Sequence, residues 1–315
     1  HLDVVSELPT GTGVGRIRSE HDLVEKYLHH LNSSISNSLE GLTVVVDGAN
    51  GSASLVGPEA LRRAGAQVIS IHCEPNGLNI NENCGSTHMD DLFVAVVKHG
   101  ADLGIAHDGD ADRCLAVDAQ GNEVDGDMIM AILAIGMKTG GQLKADTVVG
   151  TVMSNLGFMH AMKEAGIAVE TTPVGDRYVL ERMLEKDFVL GGEQSGHVIM
   201  RKYANTGDGL LTALAIAQEV ARSKKSLAEL ASVMTRFPQI LINVKGVAKE
   251  KLANNSAISD AVKAAETTLG SSGRVLLRAS GTENLVRVMV EASSDNLASE
   301  VATALADVVR KELSL

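Results

Sequence analysis

Three aspartates at alternate positions, Asp108, Asp110 and Asp112, point most directly to chemistry in this chain. Small residues separate them, and apolar segments that resemble strands flank the run at residues 102–106 and 114–117. Alternate residues on a tight loop can converge on one point, and Mg²⁺ prefers such carboxylate oxygens, whereas Zn²⁺ and copper favour nitrogen and sulfur. Three carboxylates would repel one another without a cation. The spacing therefore predicts a magnesium site.

Two other kinds of site use aspartates at short spacing. An EF-hand loop needs Gly at its sixth position and Glu at its twelfth. Counted from Asp108, these positions hold Arg113 and Ala119, which excludes that site. A phosphatase with an aspartate nucleophile stays open, and it would make Asp108 or Asp110 the covalent residue rather than a metal ligand.

A second polar loop spans residues 191–197, Gly-Gly-Glu-Gln-Ser-Gly-His. Its Glu193 and Ser195 are suitable partners for sugar hydroxyls, and His197 could move protons near pH 7. A polar turn between two strands is the alternative interpretation of this loop.

A third loop, at residues 278–284, combines a cation with small polar residues. Arg278 offers a planar guanidinium for a phosphate, and Ser280, Gly281 and Thr282 add hydroxyls and backbone N–H groups. Strand alternation lets Arg287 reach the same anion. A charged hairpin turn explains these residues equally well when the loop is taken alone.

Asp176 and Arg177 lie where a strand leads into a helix, which is where α/β folds hold ligands. Asp176 could also be the N-cap of that helix, and Arg177 could be solvated. Taken together, the metal-type, sugar-type and phosphate-type loops indicate Mg²⁺-dependent chemistry on a phosphorylated sugar.

Composition excludes several classes of protein. The net charge of −12 and the low aromatic content disfavour a nucleic-acid binder. No window approaches the roughly 18 apolar residues of a membrane span, and no secretory leader is recognisable. Cys73, Cys84 and Cys114 lack paired metal-type spacing, so three reduced thiols in a cytoplasmic protein are expected.

The elements that must position these loops alternate between strand and helix from residue 42. This order predicts parallel sheets covered by helices, with a helix at residues 59–63 in the first unit and a strand at 188–190 in the second. A helix is predicted at residues 21–31, whereas the glycine-rich residues 11–15 are interpreted as a linker. The two units share their order of elements, which hints at a structural repeat. From residue 237 the order predicts a small α+β domain with an antiparallel hairpin.

The three loops resemble those of the α-D-phosphohexomutases in sequence and in order: Asp-Gly-Asp-Ala-Asp-Arg, Gly-Glu-Gln-Ser-Gly-His and Arg-Ala-Ser-Gly-Thr-Glu. The resemblance runs from about residue 10 to the end. It implies two successive α/β domains with mixed sheets, followed by a TBP-like α+β domain that binds phosphate. The expected bounds are 41–122, 123–236 and 237–315, after a tail and linker at 1–40. Gln194 and the run at 174–179 resemble the branch that acts on glucosamine phosphates, while the phosphomannomutase and phosphoglucomutase branch more often has Met at 194.

The resemblance also implies roles for the residues. The three aspartates bind Mg²⁺, and Arg113 lies beside the transferring phosphoryl group. Sugar hydroxyls bind Glu193 and Ser195, with His197 bordering the site and Asp176 and Arg177 lining the cleft. The phosphate that is not transferred is bound by the residues of the third loop and the strand that follows it, namely Arg278, Ser280, Gly281, Thr282 and Arg287. His107, His197 and Asp176 stay candidates for the general base, and Asn284 stands where the family usually has Pro.

Family members carry a phosphoserine in a preceding domain, in a Ser/Thr-Ala-Ser-His-Asn type loop that these 315 residues lack. We therefore expect a chain without its nucleophile and inactive alone. The implied reaction interconverts glucosamine 6-phosphate and glucosamine 1-phosphate through a 1,6-bisphosphate, on the way to UDP-N-acetylglucosamine and peptidoglycan. Expected cofactors are Mg²⁺ and a glucose or glucosamine 1,6-bisphosphate activator. The expected partner is a phosphorylated amino sugar, with no nucleic acid or membrane, for a cytoplasmic monomer or homodimer.

Three alternatives stay open. A phosphomannomutase or phosphoglucomutase would differ only in the hexose it accepts. The aspartate-nucleophile phosphatase would hydrolyse sugar phosphates with this chain alone. A sugar-phosphate sensor would bind its ligand without turnover, even beside a domain that supplies the serine.

Overall fold

The structure is a computed structural model that describes residues 9–20, 22–281 and 283–315. The helices are α1 (Asp22–Ser33), α2 (Ala53–Arg63), α3 (Asp90–His99), α4 (Gly126–Thr139), α5 (Leu156–Glu164), α6 (Asp176–Lys186), α7 (Gly209–Ser223), α8 (Leu227–Ala231), α9 (Ser256–Leu269) and α10 (Asp295–Glu312). The strands are β1 (Thr43–Asp47), β2 (Gln67–Ile71), β3 (Leu103–Ala106), β4 (Leu115–Asp118), β5 (Glu123–Val124), β6 (Thr147–Thr151), β7 (Ala168–Thr172), β8 (Leu190–Gly192), β9 (Val198–Met200), β10 (Gln239–Lys245), β11 (Gly273–Ala279) and β12 (Leu285–Ala292). None of the helices in these described ranges combines the length and the apolar character needed to cross a membrane.

The first sheet has the strand order β2-β1-β3-β4-β5. Strand β1 is parallel to both β2 and β3, and its three valines are fully buried, as expected for a central strand covered on both faces. Strands β4 and β5 continue the sheet in antiparallel pairing. Because β5 pairs with β4, this sheet extends beyond residue 122, the expected end of the first α/β domain.

The second sheet repeats this plan with the order β7-β6-β8-β9. Strand β6 is parallel to β7 and β8, and β9 returns antiparallel to β8. Both sheets are therefore mixed, as the family resemblance implies, and the suggested repeat is present in the strand order. In each sheet the turn between the third and fourth strands lies beyond the carboxyl end of a parallel strand, where α/β proteins place their ligands.

The third sheet is antiparallel, with the order β10-β12-β11. Alternate residues of β12, from Val286 to Ala292, join the apolar cluster formed with α9 and α10. The intervening residues, which include Arg287 and Glu291, lie on the opposite face of the sheet. This is the expected C-terminal α+β domain, and the predicted fold class is confirmed.

The first two sheets share one apolar cluster, whereas the third has its own. The shared cluster runs from Leu31 and Leu103 through Met130 of α4 to Leu211 of α7. The third sheet instead docks through polar groups. The buried carboxylate of Glu291 accepts hydrogen bonds from the Leu156 backbone N–H at 2.8 Å and from Arg274 Nε at 2.7 Å.

Two of these predicted elements begin at residues other than those expected. Helix α2 begins at Ala53 rather than at residue 59, and Pro58 lies inside it. Strand β8 begins at Leu190 rather than at 188, because Asp187 ends α6 in the left-handed conformation and the Phe188 N–H caps the carbonyl of Met183. The helix expected at residues 21–31 is α1, whose predicted first residue, His21, lies outside the described residues.

Candidate active site

The three aspartates lie on the turn that joins β3 to β4, which we term the metal loop (residues 107–114). The last paired residues on either side are Ala106 and Leu115. One carboxylate oxygen of each aspartate lies within 4.8 Å of an oxygen from each of the other two. Asp108 is buried, Asp112 is half-buried and Asp110 is exposed, so the group is open to solvent on one side. The structure thus brings together the three residues that the spacing selects.

The backbone at the start of α2 supports the metal loop from below. The Ser52 N–H donates to the carbonyl of Gly109 at 2.9 Å. A Cβ atom at Gly51 would lie only 2.3 Å from that carbonyl oxygen, so only glycine allows this approach. Ala111 adopts a left-handed φ of 60° and turns the loop back toward β4.

The donor set fits Mg²⁺. Asp112 Oδ1 and Arg113 Nε are buried and make no hydrogen bond with the described residues. They lie 3.7 Å apart, which is too long for a hydrogen bond, and Arg113 Nε lies 3.6 Å from Asp108 Oδ2. Two of the three carboxylates thus lie near one guanidinium, and the buried Oδ1 of Asp112 has no hydrogen-bond donor among the described residues. A dication that binds oxygen ligands would balance the excess negative charge and would also bind the unpaired carboxylate oxygen.

His197 contacts the metal loop with both ring nitrogens engaged. The Gly207 N–H donates to His197 Nε2 at 3.1 Å, which leaves that nitrogen unprotonated. Nδ1 therefore carries the proton and donates it to Asp112 Oδ2, 3.0 Å away. In this arrangement neither nitrogen is free to accept a proton from a substrate, so the geometry gives His197 a positioning contact with Asp112.

His107 is fully buried and closes the base of the metal loop. Its Nδ1 lies 3.0 Å from the carbonyl of Arg113, and only a protonated Nδ1 can donate to that oxygen. Burial lowers the pKa of His107 and favours the neutral ring. With no exposed surface, His107 does not reach a substrate, which leaves it unsuited to the general-base role considered from sequence.

The turn between β8 and β9, which we term the sugar loop (residues 193–197), lies against the metal loop. The Cys114 N–H donates to the carbonyl of Gly196 at 3.0 Å. Glu193 Oε1 accepts from the Gly175 N–H at 2.9 Å, which orients its carboxylate, and Ser195 is exposed. Gln194 donates to Asp125 Oδ2 at 3.2 Å.

Asp176 and Arg177 are the first two residues of α6, and both are exposed. Gly175 is the N-cap, so the alternative N-cap assignment of Asp176 is wrong. Arg177 Nε pairs with Glu181 one turn along the helix, at 2.7 Å. The hydrogen bond from Gly175 to Glu193 places this helix start beside the sugar loop, although no hydrogen bond or ion pair joins Asp176 or Arg177 to that loop within the described residues.

The hairpin between β11 and β12 carries the predicted phosphate-binding residues. Arg278 and Arg287 are directly opposite each other in the antiparallel register, so their side chains share one face of the sheet. Ser280 is buried, its hydroxyl accepts from the Glu283 N–H at 3.2 Å, and Gly281 is exposed. Thr282 lies outside the described residues. Within the described residues, no hydrogen bond or ion pair joins this hairpin to the metal loop or the sugar loop.

Two contributors to these loops were missed from sequence. Asp208 caps α7, accepts a hydrogen bond from Tyr27 at 2.8 Å, and is followed by Gly209, whose N–H donates to the carbonyl of Ala111 in the metal loop. An aspartate before a long apolar helix is a recognisable N-cap signal. Lys249 Nζ donates to the carbonyls of Ser280 and Glu283, both at 2.7 Å, and no local pattern indicates that long-range contact.

Comparison with known families assigns all three parts of the chain. Residues 25–121, 125–237 and 241–308 match, in turn, the α/β/α domain II, the α/β/α domain III and the C-terminal domain of phosphoglucomutase/phosphomannomutase. The match to domain II begins at residue 25, inside the expected tail and linker at 1–40, whereas the match to domain III lies within two residues of the predicted 123–236. The domain bounds stay a prediction.

Individual relatives are similar over nearly the whole chain. The phosphoglucosamine mutase of Rhodococcus jostii strain RHA1 is 58% identical over 301 residues, which are 96% of this chain and 68% of that protein. A solved phosphoglucomutase/phosphomannomutase family protein from Burkholderia thailandensis has a TM-score of 0.79 at 20% identity, covering 92% of this chain and 64% of that one.

A second solved structure is Aspergillus fumigatus N-acetylphosphoglucosamine mutase in complex with GlcNAc-6P and magnesium. It has a TM-score of 0.72 at 22% identity, covering 91% of this chain and 70% of that one. The present chain therefore spans about two thirds of the length of its relatives. Its sequence identity over that length, together with the three matched domains, shows that it belongs to the phosphoglucosamine mutases of the phosphoglucomutase/phosphomannomutase family.

Proposed function

We propose that this chain provides the magnesium, sugar and phosphate sites for interconverting glucosamine 6-phosphate and glucosamine 1-phosphate. The observation that carries the proposal is the direct joining of the metal loop to the sugar loop. Asp112 pairs with His197, and Cys114 pairs with Gly196, so a metal-type site and a sugar-type site share one wall. The identity to phosphoglucosamine mutases favours glucosamine over mannose or glucose as the hexose.

Asp108, Asp110 and Asp112 would hold Mg²⁺, which also accompanies the sugar phosphate in the Aspergillus fumigatus complex. When bound, this ion would neutralise negative charge on a phosphoryl group. Arg113 would contribute in the same place, because its side chain is 43% exposed and its terminal nitrogens make no hydrogen bond with any residue that the structure describes.

The sugar would be oriented by Glu193 and Ser195. Gly175 holds one oxygen of the Glu193 carboxylate, which leaves the other oxygen available to accept a hydrogen bond from a sugar hydroxyl. The exposed Ser195 hydroxyl can donate or accept beside it. Asp176 and Arg177, at the neighbouring helix start, would line the open side of this pocket.

The phosphate that is not transferred would bind between Arg278 and Arg287, with Ser280, Gly281 and Thr282. Two like charges directly across a β ladder destabilise a hairpin, and a phosphate bound between Arg278 and Arg287 would relieve this repulsion. Arg287 also pairs with Glu283 at 3.3 Å. Arg287 Nε is buried and makes no hydrogen bond with the described residues, which leaves a donor for that anion. Because either end of a 1,6-bisphosphate must reach the metal loop, a phosphate site on a separate domain suits the reaction.

The phosphoryl donor in this proposal is the phosphoserine that the family resemblance implies, with a hexose 1,6-bisphosphate as intermediate and activator. No nucleophile is assigned to the described loops. His197 and His107 hold their protons in fixed hydrogen bonds, which leaves Asp176 as the remaining candidate for the general base. A cytoplasmic location belongs to the same proposal and is supported by three free cysteines.

The test is a coupled assay for glucosamine 1-phosphate, with Mg²⁺, glucosamine 6-phosphate and glucose 1,6-bisphosphate. It compares the chain alone with the chain joined to the phosphoserine domain of a phosphoglucosamine mutase. Turnover only in the joined protein is expected. Hydrolysis of sugar phosphates by the chain alone would indicate the aspartate-nucleophile phosphatase. Preferred turnover of mannose 1-phosphate or glucose 1-phosphate would overturn the glucosamine assignment.

A further inference from the structure

A second group of metal-ligating side chains lies behind the metal loop and has no part in the proposed function. Asp47 is the last residue of β1, His72 follows β2, and Cys84 lies in the segment before α3. Strands β1 and β2 are parallel, with Asp47 opposite Ile71, so their carboxyl ends meet. One ligand atom of each residue lies within 4.8 Å of one from each of the other two.

The geometry of His72 matches that of a metal-bound imidazole. Its Nδ1 lies 2.9 Å from Asp47 Oδ2, and its Nε2 lies 3.1 Å from Asp91 Oδ2. If Nδ1 held an ion beside Asp47, the Nε2–H would donate to Asp91. A carboxylate on the far nitrogen is the usual partner of a metal-bound histidine. The backbone also holds His72 in a left-handed conformation, with φ of 47°, which is uncommon for a residue other than glycine.

The other two side chains are already oriented toward the same point. Backbone N–H groups of Ala49 and Gly85 donate to the two oxygens of Asp47, at 2.9 and 3.0 Å. Cys84 is buried, and the Asn50 amide nitrogen lies 3.8 Å from its sulfur. The partly exposed His72 leaves one side of the cluster open to an entering ion.

One carboxylate oxygen, one imidazole nitrogen and one sulfur form a donor set suited to zinc-like ions and poorly suited to Mg²⁺. A thiolate and a carboxylate would balance the charge of a dication, and water can fill a fourth position. We propose that Asp47, His72 and Cys84 form a binding site for a divalent transition-metal ion such as Zn²⁺, separate from the magnesium site.

This site would stiffen the base of the metal loop. The segment that contains Cys84 continues to Ser86, whose N–H donates to the carbonyl of His107 at 2.8 Å. A Cβ atom at Gly85 would lie 2.4 Å from that same oxygen, so the two backbones are packed in direct contact. An ion that fixes Cys84 thus acts two residues from Ser86, which supports the metal loop.

Co²⁺ is a suitable probe, because a cobalt–thiolate bond gives a charge-transfer absorption band that oxygen ligands do not give. The chain is first saturated with Mg²⁺ to fill the metal loop, and Co²⁺ is then titrated. We expect a band that saturates near one equivalent and is bleached by Zn²⁺. Cys84→Ser should abolish it, whereas Cys73→Ser and Cys114→Ser should keep it.

His72→Gly provides a second variant that should fold well, because glycine readily adopts the left-handed conformation at this position. It should also lose the band, with an unchanged circular dichroism spectrum. No band in the unaltered chain, or a band that survives both Cys84→Ser and His72→Gly, would overturn the proposal. Cobalt binding without a thiolate band would place the ion at oxygen ligands and would overturn it equally.

Discussion

At the scale of single residues, the two hydrogen bonds of His197 decide which of its ring nitrogens is the donor. The Gly207 N–H donates to Nε2, and Asp112 accepts a hydrogen bond from Nδ1, so both ring nitrogens are occupied in a single tautomer. Its contribution is then to hold Asp112, one of the three expected magnesium ligands. A Cβ atom at Gly207 would lie 2.5 Å from the imidazole ring, so glycine is required for this contact.

This role predicts a difference between two conservative substitutions. In His197→Asn the amide nitrogen can replace Nδ1 and still donate to Asp112, whereas in His197→Gln it lies nearer the place of Nε2. We expect His197→Gln to weaken Mg²⁺ binding about 10- to 100-fold, and His197→Asn to weaken it much less. Isothermal titration calorimetry measures both, with the exposed His99→Asn as control. Equal affinity in both His197 variants would contradict the positioning role.

Asp127, at the start of α4, provides a second prediction because burial raises its pKa to about 7, with Asp125 and Glu291 adding to the shift. The folded protein therefore binds this proton more tightly than the unfolded chain, whose aspartate has a pKa of about 4. The Asp127 contribution to the free energy of unfolding is fully present below pH 4. It is lost as the pH rises toward 7, by up to about 4 kcal/mol.

Asp127→Asn should remove this pH dependence, because the asparagine side chain does not titrate. The fold should be kept, because the asparagine oxygen can still accept the hydrogen bond that the Asn155 N–H donates to Asp127 at 2.7 Å. Urea unfolding at several pH values between 4 and 8 measures the effect, with exposed Asp260→Asn as the control. Identical slopes for unaltered and Asp127→Asn protein would show that Asp127 titrates normally.

Some of these residues could be found from sequence and others could not. The convergence of the three aspartates follows from their alternate spacing on one short turn. The partners of Asp112 and Cys84 come from other loops: His197 lies in the other sheet, and His72 follows a neighbouring strand. Short-range patterns do not report such contacts, so Cys84 looked like an ordinary thiol and His197 like a free base.

At the scale of elements, periodicity and turn residues predicted the order of strands and helices well, and errors arose where caps decide the boundary. Strand β8 was placed two residues early because the left-handed cap at Asp187 has no glycine to mark it. Helix α2 was placed six residues late because Pro58, which usually opens a helix, lies inside this one.

The contact between the third sheet and the start of α5 predicts how the C-terminal domain is held. Glu291 accepts from Leu156 and Arg274, and the Arg274 guanidinium also donates to the carbonyls of Val152 and Ser154. Removing one member of a buried ion pair leaves its partner uncompensated. We expect Glu291→Gln to destabilise this contact by about 3 kcal/mol and to speed hydrogen exchange at the Leu156 amide.

Hydrogen exchange measured by NMR or mass spectrometry, together with denaturant unfolding, tests this expectation. Asp307→Asn breaks an exposed pair with Arg310 and should cost less than about 1 kcal/mol. If Glu291→Gln behaves like Asp307→Asn, then the docking of the third sheet does not depend on the buried carboxylate.

At the scale of the whole molecule, the largest apolar cluster of the described residues is common to two of the three sheets, and each of those two sheets has a smaller cluster on its other face. The first two sheets share one cluster and the third sheet has its own. The chain length and the order of elements predicted two α/β domains and one α+β domain. That the two α/β domains share one apolar cluster is a property of tertiary packing, which local sequence patterns do not indicate. It follows that the first two parts should unfold as one unit.

Scanning calorimetry should therefore show two transitions. Mg²⁺ should raise the transition temperature of the unit that carries the metal loop, and inorganic phosphate should raise that of the C-terminal domain. At 100 times its dissociation constant, each ligand should add roughly 3 kcal/mol to the free energy of unfolding of its unit. Asp110→Asn should remove the first shift and Arg278→Gln the second. A single transition, or a shift of both transitions by one ligand, would show that the C-terminal domain and the first two sheets unfold together.

The structure of the metal loop also has a consequence for how the magnesium site forms during translation. Two of its backbone hydrogen bonds, from Cys114 to Gly196 and from Gly209 to Ala111, depend on residues that are translated long after the aspartates themselves. A nascent chain stalled on the ribosome before Gly209 has emerged should have all three carboxylates and yet no formed magnesium site. Synthesis of α7 is then the event that matures the site, and the acidic loop stays exposed to solvent until that moment.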